Sequence, residues 1–185
     1  LGVDIHGSTL GIVGFGRIGS AVARRAVASG MNVIYLTRSQ PKEDYGCERV
    51  KTLDELLERS DFVSLHCPLT PETHGLIGAD ALKRMKPEAS LINTARGPIV
   101  DTEALTTAMS IGQIAYAAID VTDPEPIPAN HPLVSLENVT IVPHIASATV
   151  GTRRKMSEMT VDNILATISG GKPPNCVNAD QIDWG

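Results

Sequence analysis

The stretch Thr9-Leu10-Gly11-Ile12-Val13-Gly14-Phe15-Gly16-Arg17-Ile18-Gly19 decides the fold. Its first half is a short β-branched, apolar run, and its second half places glycines at 14, 16 and 19 before an amphipathic stretch. Strand, glycine-rich turn and helix, in that order, form the context in which Gly-x-Gly-x-x-Gly holds a dinucleotide. The three glycines do different physical jobs. Gly14 permits the tight turn, Gly16 lets backbone approach a pyrophosphate, and Gly19 lets the helix lie close on the sheet. The helix N-terminus then offers unpaired N–H groups and the positive end of its dipole to the anion.

The same alternation continues outward from this unit. Apolar runs at 9–14, 32–36, 62–66, 90–93, 114–119 and 139–142 predict strands, and amphipathic patterns at 17–29, 53–59, 79–85, 102–111 and 148–169 predict helices between or after them. The first helix is predicted to bury Ile18, Val22 and Ala26 at i, i+4, i+8 spacing. Asp101 stands where an N-cap belongs, with Glu103 in the first turn. Strands apolar on both faces and separated by helices predict a doubly wound α/β fold with a parallel sheet, a Rossmann domain over 1–170 followed by a tail over 171–185. Pro124, Pro126, Pro128 and Pro132 interrupt a segment that is neither helix nor central strand.

Composition narrows the partners. A chain of 185 residues with 42% hydrophobic and 20% charged residues has ordinary globular usage, and folding at this size buries about 70% of the unfolded surface. A formal charge of -5, with only short basic clusters at Arg24-Arg25 and Arg153-Arg154-Lys155, argues against nucleic acid. No run approaches a membrane span, and Cys47, Cys67 and Cys176 form no CxxC pair, which predicts free thiols, no metal and a cytoplasmic setting. The chain begins at Leu1, which suggests an upstream segment.

In NAD-binding folds a carboxylate about 20 residues beyond the fingerprint bonds the ribose 2′-hydroxyl. Here Thr37 stands at that point, followed by Arg38 and Ser39, and no acid occurs from Met31 to Lys42. Arg38 suits a 2′-phosphate, and the hydroxyls of Thr37 and Ser39 can donate to it. The turn therefore predicts NADP(H) in preference to NAD(H), with NAD(H) favoured instead if Glu43 or Asp44 folds back. Later strands are followed by Arg96, Glu125 and His144. In doubly wound sheets such positions converge on one edge. An arginine can clamp a carboxylate and polarise the adjacent carbonyl, while a histidine paired with a glutamate can move the alcohol proton.

Four segments together resemble the D-isomer-specific 2-hydroxyacid dehydrogenases: 14–19, His66-Cys67-Pro68-Leu69-Thr70-Pro71-Glu72-Thr73, Asn93-Thr94-Ala95-Arg96-Gly97-Pro98-Ile99-Val100-Asp101 and Pro143-His144-Ile145-Ala146-Ser147-Ala148. Thr37-Arg38-Ser39 with Asp123-Pro124-Glu125-Pro126 is most similar to the branch of NADP-dependent glyoxylate and hydroxypyruvate reductases. The resemblance implies reduction of a small 2-oxo acid to a D-2-hydroxy acid. Arg96 would bind the carboxylate and carbonyl, His144 would be the general acid-base, and Glu125 would orient it in its protonated form.

By the same resemblance Arg17 and Ile18 meet the pyrophosphate through backbone N–H groups, Pro68, Thr73, Thr94 and Ala146 line the cofactor cleft, Asp120 holds the nicotinamide carboxamide, and Ser147 sits near the substrate. For Asp120 a simple turn-capping role is the competing reading, and for His66 closing the end of a strand is the simpler one. The resemblance also implies a second, substrate-binding domain outside this chain, with 1–8 and 170–185 similar to the segments flanking it, and a homodimer for the full-length enzyme. Little turnover is expected without that domain. Other readings are a cofactor-regulated corepressor, or a dehydrogenase of another substrate such as phosphoglycerate, formate or phosphonate.

Overall fold

The computed structural model describes residues 2–184; Leu1 and Gly185, at the ends of the two flanking segments, lie outside the described residues. The strands are β1 (Thr9–Val13), β2 (Asn32–Leu36), β3 (Glu48–Arg49), β4 (Phe62–Leu65), β5 (Ser90–Asn93), β6 (Tyr116–Ile119) and β7 (Val139–Ile141). The helices are α1 (Arg17–Ala28), α2 (Leu53–Arg59), α3 (Ala79–Arg84), α4 (Thr102–Ser110) and α5 (Val150–Ile168). One parallel sheet runs β3-β2-β1-β4-β5-β6-β7, so the chain winds one way from β1 to β3 and the other way from β4 to β7. The reversal between β1 and β4 places a crevice at their carboxyl ends.

Alternate residues of each strand face opposite layers. Leu10 and Ile12 of β1 and Val33 and Tyr35 of β2 pack with Phe15, Ala23 and Ala26 beneath α1. Val13, Ile34, Val63, Leu65, Leu91, Ala117 and Ile119 face the other way, against Leu56, Leu57, Leu82 and Leu105 of α2, α3 and α4. Asp101 caps α4 as the sequence predicts, accepting the Ala104 N–H at 3.0 Å.

Two details differ from the sequence reading. The buried stripe of α1 is Gly19, Ala23 and Ala26, while Ile18 is 68% exposed. The cause is Gly19: a Cβ there would collide with the Gly14 carbonyl, so the helix is turned to put its bare glycine on the sheet. The short edge strand β3 has no apolar residue and so no periodicity to read. The chain forms two compact units, the first ending at His144 and the second beginning at Ile145 and containing α5. The helix is capped by Thr149, whose hydroxyl accepts the Thr152 N–H, and it has no buried residue.

Among the described residues no helix is long and apolar enough to cross a membrane. Cys47, Cys67 and Cys176 are free thiols.

Candidate cofactor and active site

At the end of β1 the phosphate loop is shaped by what its glycines lack. Gly14 adopts φ +94°, and a Cβ there would lie 2.6 Å from the Cys67 backbone nitrogen. Gly16 is the opposite case, since a Cβ at that position meets nothing within 4 Å. That open space lies at the N-cap of α1, where no side chain caps the helix and no acid occupies the first turn. Arg17 and Ile18 are exposed there. Free space, uncapped N–H groups and a positive dipole end fit a pyrophosphate.

Two turns flank this loop. The Gly14 N–H donates to the Leu36 carbonyl at 2.9 Å and the His66 N–H to the Val13 carbonyl at 2.7 Å, which sets the ends of β2, β1 and β4 side by side. After β2 come Thr37, half-buried, and Arg38 and Ser39, both exposed. Asp44 closes its own turn by accepting the Gly46 N–H at 3.0 Å. After β4, the Thr73 hydroxyl donates to the Pro68 carbonyl at 2.7 Å and accepts the Thr70 N–H at 2.8 Å, tying this loop to itself. The Thr70 hydroxyl and the backbone N–H of Glu72 itself hold the Glu72 carboxyl below its ordinary range, with a smaller pull from Arg38. His66 meets the Ser64 hydroxyl at 2.8 Å across the end of β4, and burial pushes its pKa down.

At the far half of the same sheet edge lie Glu125 and His144. A cavity of about 610 Å³ is lined by Asp120, Thr122, Glu125, Val142, Pro143 and His144 among others. His144 Nδ1 lies 2.7 Å from Glu125 Oε1, in a pair whose side chains are 52% and 43% exposed. The His144 backbone adopts φ +53°, a conformation unusual for a side-chain-bearing residue, and its N–H donates to the Asp120 carbonyl at 2.9 Å. Strain of this kind persists where surrounding structure over-determines it, and such sites cluster at functional positions. Asp120 itself is buried at 5% exposure.

Arg96 and Thr94 follow β5 and do not line this cavity. Arg96 Nη1 donates to the Ala95 carbonyl at 2.6 Å, so its guanidinium rests on its own turn. Ala146 and Ser147 form a turn in the second unit, where the Thr149 N–H donates to the Ser147 carbonyl at 3.0 Å.

Asn93 and Gly97 shape the Arg96 turn, a role their place in the sequence motif does not announce. Asn93 is fully buried, donates from Nδ2 to the Arg96 carbonyl at 2.9 Å and accepts the Ala95 N–H at 3.0 Å. A signal exists in the sequence: an asparagine ending an apolar strand invites the question of what its amide bonds. Gly97 is packed so tightly that a Cβ would collide with the Thr122 carbonyl, which seats the Arg96 turn on the backbone leading to Glu125.

A doubly wound sheet with an uncapped glycine loop at its switch point is the architecture of a dinucleotide-binding domain. Residues 1–146 match the model of the D-isomer specific 2-hydroxyacid dehydrogenase NAD binding domain, and the chain belongs to that family. A curated glyoxylate reductase of Korarchaeum cryptofilum is 51% identical over 98% of this chain and 55% of its own length. A solved structure of a Thermus thermophilus protein superposes with a TM-score of 0.90 at 52% identity, covering 96% of this chain and 56% of that one. The NAD-complexed D-isomer specific 2-hydroxyacid dehydrogenase of Lactobacillus delbrueckii ssp. bulgaricus gives a TM-score of 0.87 at 36% identity, covering 96% and 58%. The chain spans about half the length of the curated relatives it matches. The matched family is described as NAD-binding, and the matched residues include the Gly14–Gly19 loop.

Proposed function

We propose that this chain is the NADP(H)-binding part of an enzyme that reduces glyoxylate, hydroxypyruvate or a similarly small 2-oxo acid to the D-2-hydroxy acid. The observation that carries the reading is the 2.7 Å His144–Glu125 bond beside a cavity on the same sheet edge as the glycine loop. A dihydronicotinamide, when bound, supplies the hydride. Glu125 occupies Nδ1 of His144, which leaves Nε2 to deliver the proton to the carbonyl oxygen. The Arg96 guanidinium leaves its own turn to pair with the substrate carboxylate and draw charge from the carbonyl. Asp120 would hold the nicotinamide carboxamide, with Pro68, Thr73 and Thr94 around the cofactor.

Support for NADP(H) comes from Thr37-Arg38-Ser39 and from Asp44, whose carboxylate is engaged by Gly46. Turnover depends on closing a cleft around substrate, and we assign the other wall of that cleft to a domain outside this chain. A thermal-shift titration with NADPH and NADH tests the cofactor half directly. Ligand at 100 times its dissociation constant stabilises a fold by about 2.7 kcal/mol, several degrees for a domain of this size. NADPH should raise the midpoint at lower concentration than NADH; the reverse order would return the site to NAD-using dehydrogenases.

A further inference from the structure

Arg49 is a cation at the cofactor edge that the proposed reaction does not use. It lies on β3, which is two residues long and pairs with β2 in the register Ile34↔Glu48 and Tyr35↔Arg49. So short a strand needs anchoring, and Glu48 supplies it. Arg59 of α2 reaches both Glu48 oxygens in a fork, Nη1 to Oε1 at 2.8 Å and Nη2 to Oε2 at 2.6 Å, while its Nη1 also meets Glu55 Oε1 at 3.0 Å. That guanidinium holds the Glu48 carboxyl below its ordinary range.

Successive strand side chains point to opposite faces, so with Glu48 turned to α2, Arg49 is free to serve the strand end. It forms a second fork there: Nη2 donates to the Thr37 carbonyl at 2.8 Å and Nη1 to Gln40 Oε1 at 3.2 Å. These acceptors bracket Arg38 and Ser39. The turn proposed to meet the 2′-phosphate is therefore stapled at both ends by one planar group, which a lysine cannot reproduce.

We propose that Arg49 is a positioning residue for cofactor discrimination: it fixes the 37–40 turn so that Thr37, Arg38 and Ser39 converge on an adenosine 2′-phosphate. This rests on the NADP(H) reading above. The phosphate ligands are Thr37, Arg38 and Ser39; Arg49 acts through the shape of their backbone. An unpinned turn has to be ordered each time a ligand binds, and that cost falls on the 2′-phosphate contacts.

Calorimetric titration of this chain with 2′,5′-ADP and with 5′-AMP isolates the effect, because the two probes differ only in that phosphate. R49A should weaken 2′,5′-ADP about tenfold, the scale of one or two charge-assisted hydrogen bonds, and leave 5′-AMP unchanged. R49K, which keeps the charge and loses the fork, should fall between R49A and the wild type and covers the case in which R49A fails to fold. Equal weakening of both probes would reduce Arg49 to a general structural role and overturn the proposal, as would R49K equal to wild type or R49A without effect on the ratio. R38A separates the two layers. If R38A abolishes discrimination while R49A preserves it, the positioning role alone fails; if the wild type does not discriminate, the NADP(H) reading fails and this inference with it.

Discussion

The two halves of the sheet edge are built from different material. At the ends of β1, β2 and β4 the site is mostly backbone: a glycine loop whose shape follows from atoms that are absent, flanked by turns tied down by Thr73 and by Arg49. At the ends of β5, β6 and β7 it is mostly side chain, with a half-exposed His144–Glu125 pair and an arginine resting on its own turn. The difference teaches where each half gets its precision. Backbone geometry is complete as soon as the chain folds, whereas exposed side chains need a substrate and a covering surface to fix them. Cofactor affinity and chemical rate should therefore respond to separate sets of residues.

The sharpest break of that comparison is His144→Ala in the full-length enzyme. Removing a general acid should lower kcat by about 10²- to 10⁴-fold, roughly 3 to 5 kcal/mol of barrier, while NADPH affinity stays unchanged. Stopped-flow turnover alongside a fluorescence titration checks both. An unaltered rate would remove His144 from the chemistry, and a parallel loss of affinity would mean the two halves are not separable.

Gly19→Ala and Gly16→Ala probe the backbone half against itself. A methyl at Gly19 runs into the Gly14 carbonyl, so the variant should lose about 1–3 kcal/mol of stability and bind cofactor poorly. A methyl at Gly16 meets nothing in the protein and should leave the melting temperature nearly unchanged. If a pyrophosphate occupies that space, Gly16→Ala should still weaken NADPH. Matched melting curves and titrations sharpen the assignment: a Gly16 variant that binds normally would place the phosphate elsewhere.

The same contrast explains what is legible in the sequence. Locally built features have fixed spacing, so Gly14, Gly16 and Gly19, the order of the longer strands and helices, and the Asp101 cap stand out along a linear chain. Arg96, Glu125 and His144 are far apart and form a set only because each follows a strand, with family resemblance supplying the roles. The structure brings Glu125 and His144 into contact and leaves Arg96 on its own turn. β3 is illegible because Glu48-Arg49 has no apolar member, and its meaning lies in partners at positions 37, 40 and 59. The orientation of α1 misleads because helical periodicity rewards Ile18, while the close approach of Gly19 to the sheet decides which face is buried.

The smallest effect expected comes from His66, a histidine whose contrast with His144 is environmental. Its Nε2 meets the Ser64 hydroxyl at 2.8 Å, and burial lowers its pKa. In the unfolded chain a histidine titrates near 6.5. Between the lowered folded value and about 6.5, the unfolded state binds more protons than the folded one, so stability rises with pH across that window. The stabilisation is complete above about 6.5, falls as pH drops below it, and stops falling once pH passes the folded pKa, at a slope no steeper than about 1.4 kcal/mol per unit. His66→Gln keeps a side chain able to bond Ser64 and removes the titration. Thermal melts at about pH 5.5 and 7.5 should therefore show a smaller difference for the variant than for the wild type. Equal differences would show that the acid sensitivity of the fold originates elsewhere and that the ring at the end of β4 accepts its proton without cost.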